Sequence, residues 1–194
     1  MKKLKLQVQI SIDGYISPYN SQDWLVWAWG KEWTWDEALQ NYFIHLTSSI
    51  SCVLLSRKMA EEGFIDHWAA IGQDAANPQS TFARIIAASD KVVFSRTLKA
   101  STWPNTTLAR NELVNEVMTL KKTSHKDLIV YGGSSFVSSL ISAELIDEYY
   151  LFVNPVALGN GLKIFNERTN LKLMEAQAFS CGVTVLKYVP ASKI

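Results

Sequence analysis

Three short apolar runs, Cys52-Val53-Leu54-Leu55, Val92-Val93-Phe94 and Leu128-Ile129-Val130-Tyr131, recur along the chain with helical stretches between them. Each run has the length and side-chain type of a buried strand. Residues 81–89 and 111–122 read as helices; in the second, Leu113, Val117 and Leu120 recur at helical spacing. Parallel neighbours cannot be joined by tight turns, so this alternation predicts an α/β fold with a mainly parallel sheet and crossover helices. An earlier strand is marked by Leu4, Leu6, Val8, Ile10 and Ile12 alternating with Lys5, Gln7, Gln9 and Ser11, and Asp13-Gly14 ends it. Residues 15–22 have loop composition. A helix is expected from Thr34 to near Ser48, with Asp36 and Glu37 at the positive end of its dipole and Leu39, Phe43 and Leu46 on one apolar face. After a helix over 135–145, segments 149–156, 172–179 and 183–189 read as closing antiparallel strands. Gly159-Asn160-Gly161 and Ser180-Cys181-Gly182 supply the turns between them. No repeat or linker divides the chain, so a single domain over residues 1–194 is expected.

Composition excludes several functional classes. A chain of 194 residues buries roughly 70% of its unfolded surface and needs neither disulfide nor metal to fold. With 19 Lys+Arg against 18 Asp+Glu it carries no basic field for a nucleic-acid backbone. Cys52 and Cys181 show neither metal spacing nor a disulfide framework, and both read as buried small hydrophobes in a reducing compartment. The Met1-Lys2-Lys3 start is followed by alternating residues instead of the apolar block of a signal peptide. No apolar run approaches the roughly 20 residues that span a bilayer, so a cytoplasmic location without membrane contact is expected. His45 falls in the first helix, His67 in a Trp-bearing loop and His125 in a polar turn, with no HxE or HExxH pairing, so no metal is expected. The chain lacks a GxSxG elbow and neither cysteine has an electropositive setting, which argues against covalent hydrolase chemistry.

Four constellations are able to carry chemistry. In Tyr131-Gly132-Gly133-Ser134-Ser135-Phe136 an apolar strand runs through two glycines and two serines into a helix. Such a helix start presents bare N–H groups to an anion, and its plainer reading is a strand-to-helix turn with Ser135 as N-cap. Ser56-Arg57-Lys58 and Ser95-Arg96-Thr97 each follow an apolar strand at once, on what should be the same carboxyl edge of a parallel sheet. They read as a pocket for an extra phosphate or as solvated cations at element ends. Trp24, Trp27, Trp29, Trp33 and Trp35 crowd residues 24–35. They suit stacking of a flat ring or sugar, core packing, or a dimer contact. Asp13 and Asp36 flank the cluster and serve either as caps and turn residues or as the groups that supply or relay a proton.

The same residues, taken in order, resemble a known family. Ser11-Ile12-Asp13-Gly14-Tyr15-Ile16, Asp23-Trp24-Leu25, Leu54-Leu55-Ser56-Arg57, Val92 to Leu98, Trp103-Pro104-Asn105-Thr106-Thr107, Gly132-Gly133-Ser134, and Val153-Asn154-Pro155 with Gly159-Asn160-Gly161 and Phe165 span nearly the whole chain. Their order and spacing are similar to the dihydrofolate reductase-like superfamily, in particular to stand-alone relatives of the reductase domain of the bifunctional riboflavin-biosynthesis deaminase/reductase. The resemblance implies a three-layer fold with a mixed, mainly parallel central sheet, antiparallel C-terminal strands and flanking helices. It implies an NADPH-dependent reductase of a small pteridine-, pyrimidine- or flavin-like heterocycle, often a homodimer. Gly132, Gly133, Ser134, Ser135 and Phe136 would hold the cofactor pyrophosphate. Ser56, Arg57, Lys58, Ser95, Arg96 and Thr97 would surround the 2′-phosphate. The nicotinamide would lie near Asp13 and Gly14, and the substrate near Asp13, Trp24 and Asp36.

The chain also departs from that pattern. Ser56-Arg57 stands where relatives have Gly-Arg, no carboxylate matches the pterin-gripping one of true dihydrofolate reductases, and no HxE with PCxxC marks a zinc deaminase. The competing class is a non-catalytic binding module that stacks a sugar or aromatic ligand on the tryptophan cluster.

Overall fold

A computed structural model describes residues 1–19 and 35–191. In chain order the elements are β1 (Leu4–Ser11), α1 (Glu37–Ser48), β2 (Ile50–Ser56), α2 (Arg57–Glu61), α3 (Phe64–Gln73), α4 (Ser80–Ala88), β3 (Asp90–Phe94), β4 (Thr106–Leu108), α5 (Leu113–Thr123), β5 (Asp127–Tyr131), α6 (Ser134–Ser142), β6 (Glu148–Asn154), β7 (Leu171–Ala178) and β8 (Thr184–Pro190). They form two compact units, Met1–Leu4 with Gln40–Gly133, and Lys5–Leu39 with Ser134–Ile194.

In the first unit the strands run in the order β4-β3-β2-β5, every pairing parallel, with Leu55 of β2 opposite both Val93 of β3 and Tyr131 of β5. Residues 50–55 of β2 are all buried. A strand covered on both faces has no need to alternate, which is why its sequence reads as one apolar run. Aromatic rings pack beside it: Phe43 lies 4.3 Å from Phe82, and Trp68 meets Phe82 edge-on at 4.6 Å between centroids. Helices α2 and α3 occupy a stretch where the sequence reading has a loop, and His67 lies within α3. The Ser56 hydroxyl starts α2 by accepting the Met59 N–H, and Gly63, at φ 92°, turns the chain between the two helices.

The second unit has the order β1-β6-β8-β7. β1 runs parallel to β6 with Ser11 opposite Asn154, while β6–β8 and β7–β8 are antiparallel. The mixed, mainly parallel strand set with antiparallel C-terminal strands is the α/β class expected from the sequence. Ser180-Cys181-Gly182 closes the β7–β8 hairpin, where Phe179 donates its N–H to Val183 and Gly182 adopts φ 90°. Gly159-Asn160-Gly161 lies instead in the long β6–β7 connection, because β8 and not β7 is the neighbour of β6.

Three local expectations change. Helix α1 starts at Glu37, with Asp36 capping it by accepting the Leu39 N–H at 2.8 Å, and α6 starts at Ser134, one residue before the expected cap. Cys52 is buried as expected, whereas Cys181 is partly exposed in the hairpin turn. Tyr149, Tyr150, Leu151 and Phe152 are buried within the chain itself, so their apolar character is satisfied without a second copy. Among the described residues no helix is long and apolar enough to cross a membrane.

Candidate functional site

In the first unit, β2, β3 and β5 run parallel as adjacent strands, so their carboxyl ends open on one edge. Ser56 is level with Phe94, and Ser95-Arg96-Thr97 and Gly132-Gly133 follow the ends of β3 and β5. Polar groups collect there because each apolar run stops where the sheet stops. Ser95 accepts N–H bonds from Thr97 and Leu98 at 3.1 and 2.9 Å and closes the turn after β3, leaving Arg96 and Thr97 exposed. The cations after β2 are engaged differently from the sequence expectation. Arg57 and Lys58 are the first residues of α2, where i,i+4 spacing pairs Arg57 with Glu61 at 2.7 Å and Lys58 with Glu62 at 3.6 Å. Arg96 is exposed and forms no ion pair among the described residues.

In the second unit two carboxylates tie loops together, Asp13 at the carboxyl end of β1 and Asp36 at the start of α1. Asp13 accepts the Ser11 hydroxyl, the Leu158 N–H at 3.1 Å and the Gly159 N–H at 2.7 Å. The Ser11 hydroxyl first, then the Gly159 and Leu158 amides, outweigh the opposing effect of burial and hold the Asp13 carboxyl below its ordinary 3.8. Asp36 accepts the Ser180 hydroxyl at 2.7 Å and the Cys181 N–H at 3.0 Å besides capping α1. The Ser180 bond, followed by the Leu39 amide, lowers Asp36 to about 2. Both groups are anions at neutral pH, each with several donors aimed at its oxygens.

The segment after Asp13 is laced to the segment after β6. Ile12 donates to Val156, Ile16 to Leu162, and Leu162 back to Ser17. Gly14, at φ 85°, turns the chain between them. Gly161 passes so close to Ser17 that a Cβ there would lie 2.3 Å from the Ser17 carbonyl oxygen. This lacing brings Leu162, Lys163 and Asn166 against the first turn of α6. There they form a cleft of about 270 Å³ with Tyr19, Ser134, Ser135 and Ser138. Ser138, buried, donates to the Ile164 carbonyl at 2.7 Å and fixes the far wall. Lys163 stands with its ammonium 5.0 Å from the centre of the Tyr15 ring. A cleft lined by a helix N-terminus, two hydroxyls and a lysine suits an anion. Phe136, half-buried on α6, lies one residue beyond these serines.

Lys163, Asn166 and Tyr19 were not singled out from the sequence. The signal available for them was the Gly159-Asn160-Gly161 turn, which ends two positions before Lys163. Trp24, Trp27, Trp29 and Trp33 lie outside the described residues. Trp35 stacks on Phe152 at 5.6 Å between centroids. Among the described residues no group of three His, Cys, Asp or Glu side chains is arranged to hold a metal ion.

The sequence model of the RibD C-terminal domain matches residues 2–185. The chain belongs to the RibD C-terminal domain family. Among curated relatives, the uncharacterised protein YyaP of Bacillus subtilis (strain 168) is 28% identical over 194 residues, covering 96% of this chain and 94% of YyaP. The fold of this RibD C-terminal domain protein recurs in a Shewanella sp. PV-4 protein with a provisional riboflavin-biosynthesis assignment. That match has TM-score 0.68 and 17% identity, covering 98% of this chain and 99% of the other. It recurs in the diaminohydroxyphosphoribosylaminopyrimidine deaminase/5-amino-6-(5-phosphoribosylamino)uracil reductase of Thermotoga maritima, with TM-score 0.65 and 16% identity, covering 98% of this chain and 57% of that one. A pyrimidine reductase-like protein of Corynebacterium diphtheriae matches at TM-score 0.61 and 12% identity, over 97% of this chain and 92% of its own. The superfamily fold implied by the sequence motifs is the fold observed.

Proposed function

We propose that this RibD C-terminal domain protein is an NADPH-dependent reductase of a small flat heterocycle of the pyrimidine, pteridine or flavin type. The observation that carries the reading is the anion-suited cleft at the start of α6, which Ser134, Ser135 and Lys163 line. Gly132 and Gly133 lead into that helix without side chains to obstruct a pyrophosphate, and nothing lies within 4 Å of where a Gly133 Cβ would be. At the end of β3, Ser95, Arg96 and Thr97 supply a cation and hydroxyls suited to a 2′-phosphate. Ser56, Arg57 and Lys58 contribute less, since both cations already hold glutamates.

Bound NADPH would supply the hydride, which leaves the chain to position the substrate and keep the site ordered. Asp13 and Asp36 serve this as ionised anchors. Asp13 holds the segment that leads to Lys163, and Asp36 holds the hairpin turn against the start of α1. Carboxylates held below 3.8 have no proton to give at neutral pH, so water is the proton source in this reading. Titration with NADPH should quench tryptophan emission and raise the melting temperature; no change at millimolar NADPH would refute the reading.

In this reading self-association uses β7, since the apolar residues of β6 are buried within the chain. Strand β7 is the edge of its sheet and exposes Leu173 and Met174 by 49% and 55%. Antiparallel pairing of two copies about the Leu173–Met174 midpoint would set Lys172 against the partner's Glu175. Sedimentation at micromolar concentration should therefore give a dimer, and a clean monomer would refute it.

A further inference from the structure

We infer that the cavity at the C-terminal end of α6 binds a small zwitterion bearing both an ammonium and a carboxylate, of the α-amino-acid class. The cavity, of about 300 Å³, lies wholly within the second unit. Ser142 and Glu144 bound it where α6 ends, Tyr149 at the start of β6, segment 166–170 ahead of β7, and Pro190 where β8 ends. It opens at the other end of α6 from the Ser134 cleft, roughly 12 Å away along the helix axis. Tyr149 is the residue that calls for a ligand. It lines the cavity, is 1% exposed, and has Phe165 stacked on its ring at 6.1 Å between centroids. Its hydroxyl makes no hydrogen bond among the described residues, and unlike the unpartnered Tyr131 hydroxyl it is not sealed. A buried hydroxyl without a partner is rare in a folded chain. Burial first, then the Asp147 and Glu144 carboxylates, push Tyr149 up to about 12, so it meets a ligand as a neutral donor.

The charges around the cavity say what kind of ligand. Arg168 forms no ion pair among the described residues, and its one hydrogen bond runs from Nε to Asn170 Oδ1 at 3.3 Å. The other guanidinium nitrogens are left to grip a carboxylate, which the Tyr149 hydroxyl also suits. Glu144 and Glu167 line the same cavity, and the C-terminal end of α6 favours positive charge. A simple anion would therefore meet two carboxylates and the negative end of a helix, and a simple cation would meet Arg168. A ligand that carries both charges answers both. The volume is at the small end of the range for ligand cavities, which fits a single amino acid and excludes a dinucleotide. The inference stands apart from the reductase reading, because Glu144, Tyr149 and Arg168 do not line the cleft at the start of α6.

The test screens the standard L-amino acids one at a time against the whole chain by thermal shift. The one giving the largest shift is then titrated calorimetrically beside its decarboxylated amine and its deaminated acid. It should bind at least about tenfold tighter than either analogue, since each leaves one charge of the cavity unanswered. Arg168→Gln should weaken binding at least about tenfold, and Tyr149→Phe at least about threefold. Tyr149→Phe loses no bond within the chain, so its melting temperature should hold or rise. NADPH affinity, measured on the same samples, should be the same in both variants as in the wild type. No shift with any amino acid at millimolar concentration would overturn the inference. So would an analogue that binds as tightly as its parent, an affinity indifferent to either substitution, or a matching loss of NADPH affinity in the variants.

Discussion

Gly161→Ala is the substitution through which the lacing of the cleft is most open to attack. Gly161 has φ 155°, and a Cβ would meet the Ser17 carbonyl oxygen at 2.3 Å. Neither atom is the end of a flexible side chain, so backbone must move. Two bonds lie beside the clash, Ile16 N–H to Leu162 at 2.9 Å and Leu162 N–H to Ser17 at 2.7 Å. A residue forced into this glycine-only backbone region costs about 1–3 kcal/mol, and each backbone bond lost about 0.5–1.5 kcal/mol. The destabilisation is therefore about 2–6 kcal/mol, or roughly 5–20 °C in a chain of this length. Gly159→Ala is the internal control. Its φ is also positive, at 75°, but no atom lies within 4 Å of the new Cβ, and its N–H bond to Asp13 is kept. The cost there is only about 1–2 kcal/mol of backbone strain. Thermal and urea denaturation of both variants, followed by circular dichroism, compares the two directly. Because Leu162 and Lys163 follow Gly161, NADPH affinity should fall further in Gly161→Ala than in Gly159→Ala. Equal, small stability changes in the two variants would refute the close packing of this segment on Ser17.

Two more outcomes follow from single contacts. Ser138→Ala removes the buried donor to Ile164 and leaves a carbonyl unpaired, so stability should drop by about 1–3 kcal/mol in urea denaturation with an unchanged m-value. Asp36 titrates at about 2 in the fold against an ordinary 3.8, so the unfolded chain takes up the proton first. Its stabilising contribution is full above 3.8 and is lost as pH falls toward about 2. In Asp36→Asn the decline of melting temperature over that window should flatten, and an unchanged slope would show that the Ser180 and Cys181 contacts do not persist in solution.

Much of the strand set and its parallel character was legible because the covered strands of the first unit have solid apolar cores, and such runs separated by helices have few solutions. Residues 57–73 were not. Helix α2 spans five residues, too short to display a period, and the i,i+4 pairing of Arg57 with Glu61 has meaning only once that helix is known. Motif reading thus singled out Arg57 and Lys58 but not the glutamates they pair with. Helix α3 did carry a signal, since Phe64, Ile65, Trp68 and Ile71 fall on one helical stripe, and the tryptophan and histidine beside each other concealed it. Asp13 and Asp36 were recognisable as special, but their roles depend on Gly159 and Ser180, which lie 146 and 144 residues away along the chain. Lys163 was invisible for the same reason, as it reaches the start of α6 only through the bridge between Ser17 and Leu162.

The reductase reading meets its most direct test in the dissociation constants of NADPH and NADH, measured side by side at low and high salt for the wild type and Arg96→Ala. A charge-assisted bond from Arg96 to the 2′-phosphate is worth about 1.5–3 kcal/mol before desolvation, and Arg57 and Lys58 are held by glutamates. NADPH should therefore bind at least about tenfold tighter than NADH, with the preference shrinking in salt and largely lost in Arg96→Ala. Equal affinities for the two cofactors, or a preference indifferent to Arg96, would contradict it.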